Sequence, residues 1–71
     1  MGTKLNPGKF DCYANAAPDE PMFILLARDP LAPVLVELWA RIRESQSGYS
    51  DKLGEALDCA KTMREWKKAN R

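Results

Sequence analysis

The chain has 71 residues, with 11 basic and 10 acidic side chains, a net charge of +1 and no histidine. A chain this short buries little apolar surface, and proteins of this size often rely on a disulfide, a metal or a partner subunit. The near-neutral charge argues against nucleic acid and anionic membranes as partners. Without histidine, the usual zinc ligands and the usual proton shuttle near neutral pH are missing. We therefore expect no catalytic centre, no metal site and no cofactor.

The N-terminal third has little regular pattern. Residues 1–8 are polar, contain a Pro-Gly pair and predict a flexible tail. Residues 9–71 are expected to form a single small helix-rich domain, beginning with an extended arm around Phe10. The N-terminal residues lack the apolar core of a signal peptide, so we expect Cys12 and Cys59 to be reduced thiols that serve packing.

Residues 22–27 are continuously apolar. A run of about six residues containing Phe23 and Ile24 favours a strand, because helices usually need ten or more residues. Pro30 then breaks the pattern and suits the first turn of a helix. Since an isolated strand leaves its backbone unpaired, we expect this strand to pair with the Phe10 region or with a second copy across a two-fold axis.

Two amphipathic helices are predicted after this break, over about residues 31–46 and 51–68, as an antiparallel pair. The expected fold class is therefore α+β, mainly α. The first helix is apolar over more of its surface than one neighbouring helix can cover. We therefore expect a homo-oligomer, most simply a symmetric dimer. The expected interaction surface consists of Leu31, Leu35, Leu38, Trp39 and Ile42.

Arg28 and Asp29 join the predicted strand to the first helix. An arginine fork beside a helix N-terminus suits a phosphate or carboxylate, with Asp29 capping the helix. The residue types alone favour a local alternative, in which Asp29 caps the helix while Arg28 pairs with an acid such as Glu20. No glycine-rich phosphate loop accompanies the pair, so the signal has low specificity.

Aromatic and basic residues supply the remaining candidates. Tyr13 or Trp66 would stack on a base, and Arg64 and Lys67 lie close to Trp66 in a basic C-terminal stretch. The alternatives are helix packing for Trp66 and a solvated helix end for the basic stretch. Trp39 lies near the apolar stripe of the first helix, where core packing is the simpler interpretation.

The segment from Asp19 to Pro33 follows the pattern D-E-P-x-F-x-L-x-A-R-D-x-x-A-P, with Trp39-Ala40 further along the chain. Together with Phe10 to Tyr13 and a second block over residues 55–66, this pattern resembles a family of small uncharacterised proteins encoded by bacteriophages and prophages. The resemblance implies a viral accessory protein that acts in a bacterial cytoplasm, but it indicates no particular chemical reaction.

Three roles suit a small non-enzymatic accessory protein of this kind, although the motif itself selects none of them. The first is counter-defence by sequestering a small anionic, nucleotide-like ligand in an oligomer, in which Arg28 would bind the anion, Asp29 would cap the adjoining helix, and Tyr13 or Trp66 would stack on a base. The second is a protein-interaction module that inhibits a host or phage protein, as anti-CRISPR proteins do. The third is a structural or regulatory role in phage development. An enzyme ranks last because no histidine or nucleophile motif is present.

Overall fold

The computed structural model describes residues 1–70, which form three helices. These are α1 (Cys12–Asn15), α2 (Ala32–Ser47) and α3 (Asp51–Ala69). The two helices of the predicted pair are both present, and they pack against each other. Within residues 1–70, no helix combines the length and the apolar character needed to cross a membrane.

Local sequence signals set the ends of α2. The side chain of Asp29 accepts a hydrogen bond from the backbone N–H of Leu31 at 2.9 Å, just before the helix begins. Pro33 lies in the first turn, where its missing N–H costs no helical hydrogen bond. At the other end, Gly48 adopts a φ of 79°, which favours glycine, and its N–H bonds to the carbonyl of Glu44 at 2.8 Å.

The three residues 48–50 reverse the chain, so α3 runs back along α2. Ala40 of α2 packs with Leu53 and Ala56 near the start of α3. Glu37, closer to the start of α2, instead pairs with Arg64 near the end of α3. This order of contacts is that of an antiparallel pair.

The interface between α2 and α3 is built mainly from alanines. Leu53 is the largest fully apolar side chain buried there, at 3% exposure. Small side chains let the two helices approach closely, but they bury little apolar area. The buried apolar set consists of Ala32, Ala40, Leu53, Ala56 and Ala60. Helix pairing alone therefore supplies modest stabilisation.

The prediction of a β-strand at residues 22–27 is wrong, and with it the α+β class. Residues 1–70 contain no strand, and the fold is mainly helical. A strand needs a neighbour whose backbone is free to pair, and the Phe10 region is not free. The backbone N–H groups of Lys9 and Phe10 donate to the carboxylate of Glu55 instead.

The predicted extended arm is interrupted by α1. The side chain of Asp11 caps this short helix by accepting from the N–H of Tyr13 at 3.2 Å. The arm is held to α3 because Glu55 accepts from Lys9 N at 3.1 Å and from Phe10 N at 3.2 Å. Met1 packs against the helix interface. The proposed flexibility of residues 1–8 stays a prediction.

Candidate functional site

One side of α2 carries several large, exposed apolar side chains. We call it the outer face, and its residues are between 38% and 62% exposed. The outer face consists of Leu31, Val34, Leu35, Leu38, Trp39 and Ile42. All five residues expected from the sequence to form an interaction surface lie on it.

The outer face points away from α3 because a different side of α2 makes the helix contact. Ala32, Pro33 and Ala40 are buried on that side, and Val36 is half-buried beside them. At 100° per residue, Pro33 and Ala40 lie about 140–160° around the helix from Leu35 and Leu38, whereas Ala32 and Val36 lie between the two sides. The small residues of α2 therefore pack inside the chain and its large apolar residues remain outside.

The outer face is large for a chain of this size. Its exposed fractions correspond to about 500 Å² of mostly apolar surface, near the upper end of the largest patch found on a typical monomer. Residues spaced by three and four positions are neighbours on a helix, so the patch is continuous. Lys52 of α3 flanks it, with its Nζ 5.7 Å from the centre of the Trp39 ring.

A second feature is a groove of about 430 Å³ between the start of α2 and the end of α3, which we call the basic groove. Arg64, Lys67 and Lys68 line it, with Asp29 as its single acid. The remaining lining residues are apolar: Ala27, Pro30, Pro33, Val34 and Met63. Three cations against one carboxylate favour a small anion there.

Two of the cations of the basic groove are already partly engaged. Arg64 donates two hydrogen bonds to Glu37, one of them 2.8 Å long from Nη2 to Oε1. This pairing lowers the pKa of the Glu37 carboxyl and raises that of the Arg64 guanidinium. Lys67 donates to the backbone carbonyl of Arg28 at 3.0 Å. An anion would share these donors with the protein.

A second groove, of about 390 Å³, lies on the other side of residues 25–28. Arg28 and Trp66 line it, together with the carboxylates of Glu55 and Asp58. Arg28 and the N-terminal amine of Met1, which lies 3.7 Å from Glu55 Oε1, are balanced by these two carboxylates, so the groove has no excess of positive charge to attract an anion. Cys59 also lines this groove, and burial raises the pKa of its thiol, which disfavours the reactive thiolate.

The six residues predicted to bind an anionic ligand do not converge on one site. Asp29, Arg64 and Lys67 come together in the basic groove. Arg28 and Trp66 instead line the second groove. Tyr13 is 73% exposed on α1 and lines neither groove.

Two contacts escape sequence reasoning. The carboxylate of Glu55 binds backbone groups 45 and 46 residues away, and no local pattern signals such a contact. Glu37 pairs with Arg64, although its sequence spacing suggests a pair with Arg41 on the same helix. Lys68, at the end of the basic C-terminal stretch, completes the basic groove.

Comparison of the chain with protein-family models, with curated protein sequences and with solved structures found no match.

Proposed function

We propose that this chain is a non-catalytic interaction module whose working surface is the outer face of α2. The exposure of six large apolar side chains on that face is the observation that carries the proposal. Leaving about 500 Å² of such surface in water forgoes on the order of 10 kcal/mol of burial. A binding partner recovers part of this free energy.

The spacing of the outer face defines the chemistry of its occupant. Leu31, Leu35, Leu38 and Ile42 are separated by four, three and four residues, which is the a/d spacing of a helix that packs against another helix. The occupant is therefore an amphipathic helix with an apolar stripe of similar length. Trp39, at the edge of the stripe, is the kind of large aromatic anchor that dominates such interfaces.

Site-specific photocrosslinking tests this proposal. A benzoylphenylalanine at Leu38 samples the outer face, and the same group at Glu44 samples an exposed position of α2 outside that face. The proposal predicts adducts at Leu38 that map to one defined helical segment, either of this chain or of one bacterial protein, and few at Glu44. Equal labelling at both positions, or none at Leu38 in pure protein and in bacterial extract, would overturn it.

A second candidate function is capture of a small anion in the basic groove. This candidate is favoured because Arg64, Lys67 and Lys68 line one groove whose other lining residues are mostly apolar. Removing one cation should weaken binding of a phosphate-bearing ligand by several-fold, and less at high salt. Lys61, an exposed lysine of α3 that lies outside the groove lining, provides the matched control.

Calorimetric titration with cyclic nucleotides and ADP-ribose tests the second candidate. We expect heat of binding with at least one ligand, reduced in Lys67→Ala and retained in Lys61→Ala. Absence of heat with every ligand, or equal loss in both variants, would rule it out. Either activity could serve phage counter-defence or phage development, and that biological role stays a prediction.

A further inference from the structure

We infer that the occupant of the outer face is a second copy of this chain, with the two α2 helices packed in opposite directions about a two-fold axis. This inference rests on the proposed function and names its partner. In this arrangement Leu31 packs against Ile42 of the second copy, and Leu35 packs against Leu38 of the second copy. The two-fold axis repeats both contacts in the other half of the interface.

The spacing of the stripe supports this arrangement. The separations of four, three and four residues read the same in both chain directions. When a copy is reversed about the midpoint between Leu35 and Leu38, all four side chains therefore fall into register with four apolar partners. A two-fold interface requires this kind of self-complementarity, in which residue i meets residue j and j meets i.

The buried area is sufficient for a stable dimer. Two outer faces contribute about 1,000 Å² of mostly apolar surface. With the polar rim of an ordinary homodimer, in which about 65% of the area is apolar, the total reaches about 1,500 Å². This lies within the range of specific interfaces, so we expect a dissociation constant in the micromolar range.

The six side chains of the outer face are uncharged, so pairing two copies buries no ion at the centre of the interface. Lys52, with its Nζ 5.7 Å from the centre of the Trp39 ring, lies at the rim, where its ammonium group can stay in water.

Paired cysteine substitutions test both the partner and its orientation. In a background of Cys12→Ser and Cys59→Ala, Leu31→Cys and Ile42→Cys chains are oxidised separately and as a mixture. In the reversed register these two positions face each other, whereas each lies about 16 Å along the helix axis from its own copy. The inference predicts that the mixture forms a mixed disulfide dimer and that each variant alone stays largely unlinked. Efficient linkage of Leu31→Cys to itself would indicate parallel packing and would overturn the inference.

Sedimentation equilibrium of the unsubstituted chain provides a second measurement that needs no oxidation. A dimer at micromolar concentration supports the inference, and a monomer up to about 1 mM overturns it. The two proposals fail differently. If the chain is a monomer and Leu38 crosslinks to one segment of another protein, the second copy is rejected as the occupant and the interaction module is retained. If Leu38 forms no adducts at all, both proposals are rejected.

Discussion

Glu55 is expected to be the residue that fastens the N-terminal arm to α3. Its carboxylate accepts from the backbone N–H groups of Lys9 and Phe10 at 3.1 and 3.2 Å. In Glu55→Gln the side chain keeps its length but has one acceptor oxygen and an NH₂ group, which cannot accept from a backbone N–H. One of the two hydrogen bonds must therefore be lost, and the other becomes neutral.

The size of the effect follows mainly from these two bonds, since the third contact of the carboxylate, with the N-terminal amine of Met1 at 3.7 Å, is longer than a hydrogen bond. A hydrogen bond to a charged group contributes more than a neutral one, but partial exposure places both bonds near the lower end of that range. We expect the arm to lose about 1–2 kcal/mol of attachment. If the arm opens locally, the amides of Lys9 and Phe10 should exchange with solvent roughly 5–30-fold faster.

Hydrogen exchange followed by NMR measures this directly. Glu65→Gln is the matched control, because Glu65 is exposed on the same helix and has no hydrogen bond to the arm. Exchange within α2 should change little in either variant. Unchanged protection of both amides in Glu55→Gln, or an equal change in Glu65→Gln, would refute the assignment of Glu55 as the fastening residue.

Three further substitutions test the packing and the charges. Leu53→Ala removes the largest buried apolar side chain of the helix interface and should lower the free energy of unfolding by about 2–4 kcal/mol in urea titrations. Because Arg64 lowers the pKa of Glu37, their pair stabilises the fold above the ordinary carboxyl pKa and loses that contribution as pH falls through the lowered value. Thermal unfolding of Glu37→Gln should therefore be less sensitive to acid than that of the unsubstituted chain. Gly48→Ala places a side chain at a φ of 79° and should cost about 1 kcal/mol, read from the same urea titration.

The sequence contains enough local information to place the two long helices. Apolar residues recur at helical spacing, Pro33 marks the start of α2, and Gly48 marks its end. Ser50 occupies the N-cap position of α3, although its side chain makes no capping hydrogen bond. These signals are local, so they can be identified without knowing the tertiary structure.

The tertiary choices depend on contacts that local patterns do not encode. The apolar run at 22–27 satisfies the length and composition of a strand, but the backbone that would pair with it is bound to Glu55. Similarly, both sides of α2 are apolar. Close approach through Ala32 and Ala40 decides which side faces α3.

The candidate site was predictable only in part for the same reason. Asp29, Arg64 and Lys67 meet in the basic groove because α3 returns antiparallel to the start of α2. Arg28 instead lines the second groove, together with the carboxylates of Glu55 and Asp58. Adjacent residues in the sequence therefore line different grooves, which composition and spacing cannot reveal.

Matched leucine truncations test whether association buries the outer face of α2. Leu38 lies on the outer face, whereas Leu5 is 96% exposed and lies outside it. Because each substitution acts twice in a symmetric dimer, Leu38→Ala should weaken self-association by about 2–3 kcal/mol, or roughly 30–150-fold in dissociation constant. Leu5→Ala should leave it unchanged in the same sedimentation experiment. Equal dissociation constants for Leu38→Ala, Leu5→Ala and the unsubstituted chain would contradict the account.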